Sequence, residues 1–350
     1  MPNLRQARLP VSACRAAACP DHPNASPKDR KAMTTAPAPL AAAPDQRLLA
    51  AFLALLAGAI AMGVSPVFVR FADVGPFASA FWRAALALPL LAVWARIERP
   101  AGTAAPRWNK ATLAAGVLFA GDLFFWHLAI MNTTAANATL LATLAPLWVM
   151  LASGALLKEP VTRAMALGLA ACLFGAALLV GSSFAFAPER LLGDLYGLAT
   201  SVFFGSYFIA MRFARRGATG MTPGLLVYRS SLVTAAVLFV VALLLEETIL
   251  PASLMGIAML VALGVFSHAL GQGLLAFALG TLSAGFSALV IFLEAVAAAA
   301  MGYLFLAESI GLAQALGGAV ILAGIYIARP RAPVAAPAAP ATPDPFRTPQ

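Results

Sequence analysis

Charge is scarce in this chain of 350 residues: only 11% are Asp, Glu, Lys or Arg, where a soluble domain carries about 25%. A disordered chain needs high charge and low hydrophobicity, so that class is excluded. With 61% apolar residues and a mean hydropathy of +0.87, a water-soluble globular enzyme is excluded too. Cysteine is also rare. Of the 3 present, Cys14 and Cys19 lie near the N-terminus and Cys172 lies in an apolar run, so neither a disulfide framework nor a zinc spacing exists. The 3 histidines are isolated, which removes the HExxH pattern of a zinc protease, and no GxxxxGK[ST] loop marks an ATP-driven pump. No cofactor and no metal is expected.

What the chain does have is apolar length. Residues 48–328 are almost continuously apolar, broken by short polar punctuation. A spanning helix needs roughly 20 residues, which divides the stretch into ten spans: 48–69, 77–95, 111–131, 135–157, 162–182, 194–213, 223–244, 253–277, 283–305 and 309–328. The ten-residue alternation of a membrane β-barrel is missing. Residues 1–46 and 330–350, rich in Ala and Pro, are expected to be disordered cytoplasmic tails with no signal peptide, and translation could start at Met33. The formal charge of +9 would suggest nucleic acid in a soluble protein. Here the basic residues sit in short loops and tails, where they set topology instead.

With the N-terminus in the cytoplasm, the inner ends hold Arg47, Arg96, Arg99, Arg107, Lys110, Lys158, Arg163, Arg212, Arg215, Arg216, Arg329 and Arg331. The outer ends hold Arg70 and Arg190, beside Glu246 and Glu247. Both termini are therefore expected in the cytoplasm of an inner-membrane, multi-pass protein.

The chain also matches itself. EPVTRAMALGLAACLFG (159–175) lies over ESIGLAQALGGAVILAG (308–324) at an offset of 149, opening on Glu in both copies. The same offset sets 136–148 over 285–297, and FWR (81–83) pairs with VYR (227–229) at 146. The expected fold is an all-α integral membrane protein of ten transmembrane helices in two five-helix repeats, 47–183 and 193–329. Five is odd, so the second repeat is inverted, a recurrent plan of secondary transporters with the substrate site near the midplane.

Those motifs, with LAPLW (144–148), LLKEPVT (156–162) and FLEAVAAAAMGYLFLAE (292–308), make the chain resemble the drug/metabolite transporter superfamily, with two EamA domains over roughly 48–328. Ala295 stands where the family often has Pro, whereas Pro146 keeps its place. The resemblance implies a ten-helix carrier of small metabolites, often moving them outward.

Ionisable residues inside spans are functional candidates by default. Glu294 lies at the middle of the ninth span among small neighbours, where it could exchange protons during a cycle or simply hydrogen-bond a neighbouring helix. Asp122 lies on the third span near Phe119, Phe125 and Trp126, a setting suited to a cationic or zwitterionic ligand, or to pairing with an internal Arg or His. His268 and Gln272, at i and i+4, share a helix face and either line a cavity or bond two spans together. Arg83 and Arg229 hold matching places in the two halves, one toward each face, as anion sites, gate partners or snorkelling side chains. Trp126 and Tyr228, with Trp82, Trp148 and Tyr207, could line a cavity or merely pack. His127 reads as structural, and Glu159 and Glu308 as carboxylates complementing the start of the helix that follows them.

The expected function is a secondary transporter that exports amino acids, their derivatives or amphipathic drugs by alternating access, coupled to a proton or ion gradient. The alternatives are a passive channel or facilitator and, further off, an intramembrane enzyme. An aspartyl enzyme needs two intramembrane aspartates and only Asp122 qualifies; Ser65 or Ser267 with His268 lacks any nucleophile motif. The partners expected are a small-molecule substrate, the lipid bilayer, protons and a second copy of the chain in a homodimer, with no nucleic acid.

Overall fold

The computed structural model describes residues 44–104, 106–133, 135–180, 188–216, 221–306 and 310–330. Cys14, Cys19, Met33, Glu308 and the tails over 1–43 and 331–350 lie outside them, whereas 44–46, expected in the first tail, open α1. Every regular element among the described residues is helical. The chain runs α1 (Pro44–Gly63), α2 (Ser65–Phe71), α3 (Pro76–Ile97), α4 (Lys110–Asn132), α5 (Ala135–Ala142), α6 (Ala145–Ala152), α7 (Arg163–Val180), α8 (Leu191–Arg216), α9 (Pro223–Leu245), α10 (Leu254–Ala262), α11 (Gly273–Ala278), α12 (Ala284–Val290), α13 (Phe292–Leu306) and α14 (Leu312–Ala328). Joined end to end, these make 9 helices among the described residues long and apolar enough to cross a membrane, and α14 is a shorter apolar helix of 17 residues.

Local chemistry marks the starts. The side chains of Asn109, Thr222, Ser253 and Ser283 each accept a backbone N–H from the first turn of α4, α9, α10 and α12, satisfying a donor the helix itself cannot. Pro76 and Pro223 occupy first helical turns, where a missing N–H costs nothing.

Four of these spans are interrupted, the first at Val64 between α1 and α2. The fourth breaks between α5 and α6 at Thr143–Leu144, ahead of Pro146, then widens into a π-helical turn over Ser153–Leu157 that ends on Lys158 at φ 54°. The eighth is π-helical over Leu263–Gln272. The ninth turns at Ile291 without a proline, with the Glu294 N–H donating to the Ile291 carbonyl at 2.8 Å. Such irregularities in a helix are frequent at functional positions.

The ends sort into two faces. On the basic face meet Glu98, Trp108, Glu159, Arg212, Arg215, Met221 and Leu279. On the opposite face, called outer below, Glu246 accepts the Phe77 N–H at 2.5 Å and the Ala78 N–H at 3.0 Å. There too Asp73 accepts from Ala252 and Ser253 at 3.0 and 2.6 Å; hydrogen bonds from Ser253 and Ala252 hold its carboxyl below the ordinary carboxylate range. Helices α7 and α14 pack so closely that a Cβ on Gly168 would stand 2.6 Å from the Gly324 carbonyl oxygen, and one on Gly175 2.6 Å from that of Gly317. Only glycine permits this approach, a recurrent device for joining spans in lipid.

Candidate functional site

A cavity of about 180 Å³ lies within the bundle. Arg83 enters from α3, Asp122, Phe119 and Trp126 from α4, and Thr143, Ala145 and Pro146 from the broken fourth span. Thr200 and Phe204 come from α8, Gln272 from the π-helical stretch, and Glu294, Ala295 and Ala298 from α13. Most of these positions fall within the outer half. Arg83, Thr143 and Thr200 lie a few turns into helices that begin at Pro76, Ala135 and Leu191 on the outer face.

Small residues face this space: Ala142, Ala145, Ala295 and Ala298 line it beside the turn at Ile291 and the break before Pro146. Into it project one guanidinium and two carboxyl groups. With all three ionised the set carries one net negative charge; a single proton on either acid neutralises it. The site can therefore hold a cation, or a zwitterion whose anionic end meets Arg83, and it can exchange one proton for one positive charge.

Two buried polar atoms on this cavity have no hydrogen-bond partner among the described residues: Arg83 Nε and Thr200 Oγ1. An unsatisfied buried donor costs about 1–3 kcal/mol, so both atoms have hydrogen-bonding capacity left for a group within the cavity. The Arg83 guanidinium also stands 6.0 Å from the centre of the Phe119 ring. Gln272 is oriented from behind: the Tyr207 hydroxyl donates to Gln272 Oε1 at 2.7 Å, and Gln272 Nε2 donates to the Met62 sulfur at 3.1 Å.

The structure thus brings together five of the eight residues the sequence singles out: Glu294, Asp122, Arg83, Gln272 and Trp126. The other three sit elsewhere. Arg229 is buried on the basic side, its guanidinium 5.0 Å over the Trp108 ring and 4.0 Å from the Met221 sulfur. It matches Arg83 at the sequence offset of 146, but it lies near the basic face, away from the cavity. His268 does not share the space with Gln272. Its Nε2 meets the Ser231 hydroxyl at 2.7 Å and its ring packs on Phe119. Tyr228 packs against the core.

Of the further candidates, His127 Nδ1 donates to the Leu123 carbonyl at 2.6 Å, Trp82 Nε1 to the Ile249 carbonyl at 2.8 Å and Trp148 Nε1 to the Ser201 hydroxyl at 2.8 Å. Glu159 does not serve the helix that follows it: its Oε2 accepts the Ala284 N–H of α12 at 2.8 Å. Thr200 and Phe204 escape the sequence reading because nothing in a run of small and aromatic residues says which face meets the cavity. No group of three His, Cys, Asp or Glu that could hold a metal ion occurs among the described residues.

A sequence profile described as the EamA-like transporter family matches residues 49–181 and again 191–329. The chain is 29% identical over 243 residues to the pseudopaline exporter CntI of Pseudomonas aeruginosa, in strains UCBPP-PA14 and PAO1 alike, covering 69% of this chain and 82% of the relative. A solved crystal structure superposes with a TM-score of 0.70 over 82% of this chain and 98% of its own, at 22% identity, a likeness in fold alone.

Proposed function

Because the chain belongs to the EamA-like transporter family, a family of multi-pass membrane transporters of the drug/metabolite type, we propose that its cavity is the substrate site of an exporter working by alternating access. The observation that carries this reading is the convergence of Arg83, Asp122 and Glu294 on one cavity. Buried charge is expensive in lipid and is retained where it handles a substrate or an ion. A cationic or zwitterionic metabolite, such as an amino acid or its derivative, suits the set: its ammonium group on Asp122, its anionic end on Arg83. Glu294 then carries the proton whose downhill entry drives the substrate outward.

We further propose ten spans in two inverted five-helix repeats, residence in the inner membrane and both termini in the cytoplasm, which makes the basic face cytoplasmic. Two features support the repeat and its inversion: the antiparallel packing of α7 on α14, and the opposite placement of Arg83 and Arg229. The name of the relatives supports outward transport. A carrier fits better than a channel. Between the cavity and the basic face, Val149, Met211, Phe208, Phe286, Leu289 and Val290 are almost fully buried, and a channel needs a path through such a layer.

The test is untargeted metabolomics of cells and medium, comparing a strain lacking the gene with strains complemented by the wild type and by Asp122→Asn. The proposal expects at least one cationic or zwitterionic compound to fall in the medium and rise in the cells on deletion, with restoration by the wild type alone. No difference in any such compound, or full restoration by Asp122→Asn, contradicts it.

A further inference from the structure

Glu159 lies at the basic end of the fourth span, and both of its carboxylate oxygens are engaged. Oε1 accepts from Arg212 Nε at 2.7 Å and from Arg216 Nη2 at 2.9 Å, while Oε2 accepts the Ala284 N–H at 2.8 Å. The two arginines reach further: Arg212 also donates to the Leu279 carbonyl and Arg216 to the Leu157 carbonyl. One buried carboxylate thereby ties together the end of the fourth span, the end of α8 and the start of α12. Charge-assisted bonds of this kind are about twice as strong as neutral ones.

These three spans are also walls of the cavity. Ala145 and Pro146, Thr200 and Phe204, and Ile291 with Glu294 belong to them. Along each span, from cavity to Glu159, the side chains close into the apolar layer of Val149, Phe208 and Phe286 described above. At the outer ends, carboxylate bonds run from Glu246 to α3, from Asp73 to the segment before α10, and from Asp194 of α8 to the Thr133 hydroxyl that precedes the fourth span.

We propose that the Glu159–Arg212–Arg216 cluster is the latch that keeps the cavity closed toward the basic face, and that opening to that face requires Glu159 to release Ala284 and the two arginines. The inference rests on the transporter reading, and it assigns Glu159 a positioning role: it controls access and touches no substrate. Splaying the three spans at this end would separate the apolar layer, expose the cavity to the basic side and leave the outer bonds as the closed end.

The test reads accessibility and needs no substrate. With Cys14, Cys19 and Cys172 replaced by alanine, a reporter cysteine is placed at Ser287→Cys, in α12 between latch and cavity, where the native side chain is fully buried. A second chain carries Thr143→Cys, on the outer half of the cavity. Sealed vesicles of both orientations are treated with a membrane-impermeant maleimide. Glu159→Gln is expected to raise labelling of Ser287→Cys from the basic face by about tenfold, within the usual range for a coupling between two states, and to lower labelling of Thr143→Cys from the outer face. Arg216→Gln removes one arm of the latch and is expected to give a smaller change in the same direction; it serves should Glu159→Gln fail to fold. Unchanged labelling of Ser287→Cys in a variant that still labels at Thr143→Cys, or a rise from both faces alike, overturns the latch. Either result can arise whether or not a substrate is found by metabolomics, so the two readings fail separately.

Discussion

Cys172 and Ile321 are 149 positions apart and meet across the α7–α14 interface, the thiol donating to the Ile321 carbonyl at 3.5 Å. That separation equals the offset at which the sequence repeats, so each residue touches its own counterpart. The flanking contacts cross over: Gly168, counterpart of Gly317, packs on Gly324, and Gly175, counterpart of Gly324, packs on Gly317. Pairs that exchange partners in this way mark a local two-fold relation, the geometry of a self-complementary interface.

The interface has no room for side chains, which yields a stability prediction. Gly168→Val or Gly175→Val forces backbone apart, and overpacking of this kind costs about 1–3 kcal/mol. Thermal unfolding in detergent is expected to show a lower midpoint for both. Gly154→Val, at a position with nothing within 4 Å of a new Cβ, is expected to leave it unchanged.

Arg83 and Arg229 look alike in sequence and differ in place, and transport should tell them apart. Removing a charged partner from a bound ligand costs about 1.5–3 kcal/mol, so Arg83→Gln is expected to weaken substrate affinity at least about tenfold. Arg229→Gln, far from the cavity, is expected to leave affinity as in the wild type. Concentration dependence of uptake in proteoliposomes checks both.

Topology provides a third prediction. Single cysteines at positions 190 and 215 are expected to react with an impermeant maleimide from opposite sides, Arg190→Cys from outside the cell and Arg215→Cys from the cytoplasm. Reaction of both from one side contradicts the inverted arrangement.

The nine helices of membrane length among the described residues were legible because apolar runs of span length report directly on local structure. Glu294 and Asp122 were legible because a charge in lipid needs a reason. The partner of Glu159 was not, since Ala284, Arg212 and Arg216 reach it only through packing between distant segments. The failure to separate Arg83 from Arg229 has a different origin. Repeat symmetry makes the two equivalent in sequence, while a single conformation places the cavity toward one face. Nor does the sequence show that His268 meets Ser231 while Gln272 meets Tyr207, since both partners come from distant segments.

The central claim is that Glu294 couples a proton to the substrate bound between Arg83 and Asp122. It is tested most directly by uptake of the identified substrate into proteoliposomes under an imposed pH gradient, comparing the wild type with Glu294→Gln. Glutamine keeps the shape and a hydrogen bond but carries no proton to release. The wild type is expected to concentrate substrate only with the gradient, and Glu294→Gln is expected to lose that accumulation while still exchanging labelled for unlabelled substrate. Accumulation by Glu294→Gln at the wild-type rate would contradict the account and pass the proton role to Asp122, the other acid on the cavity.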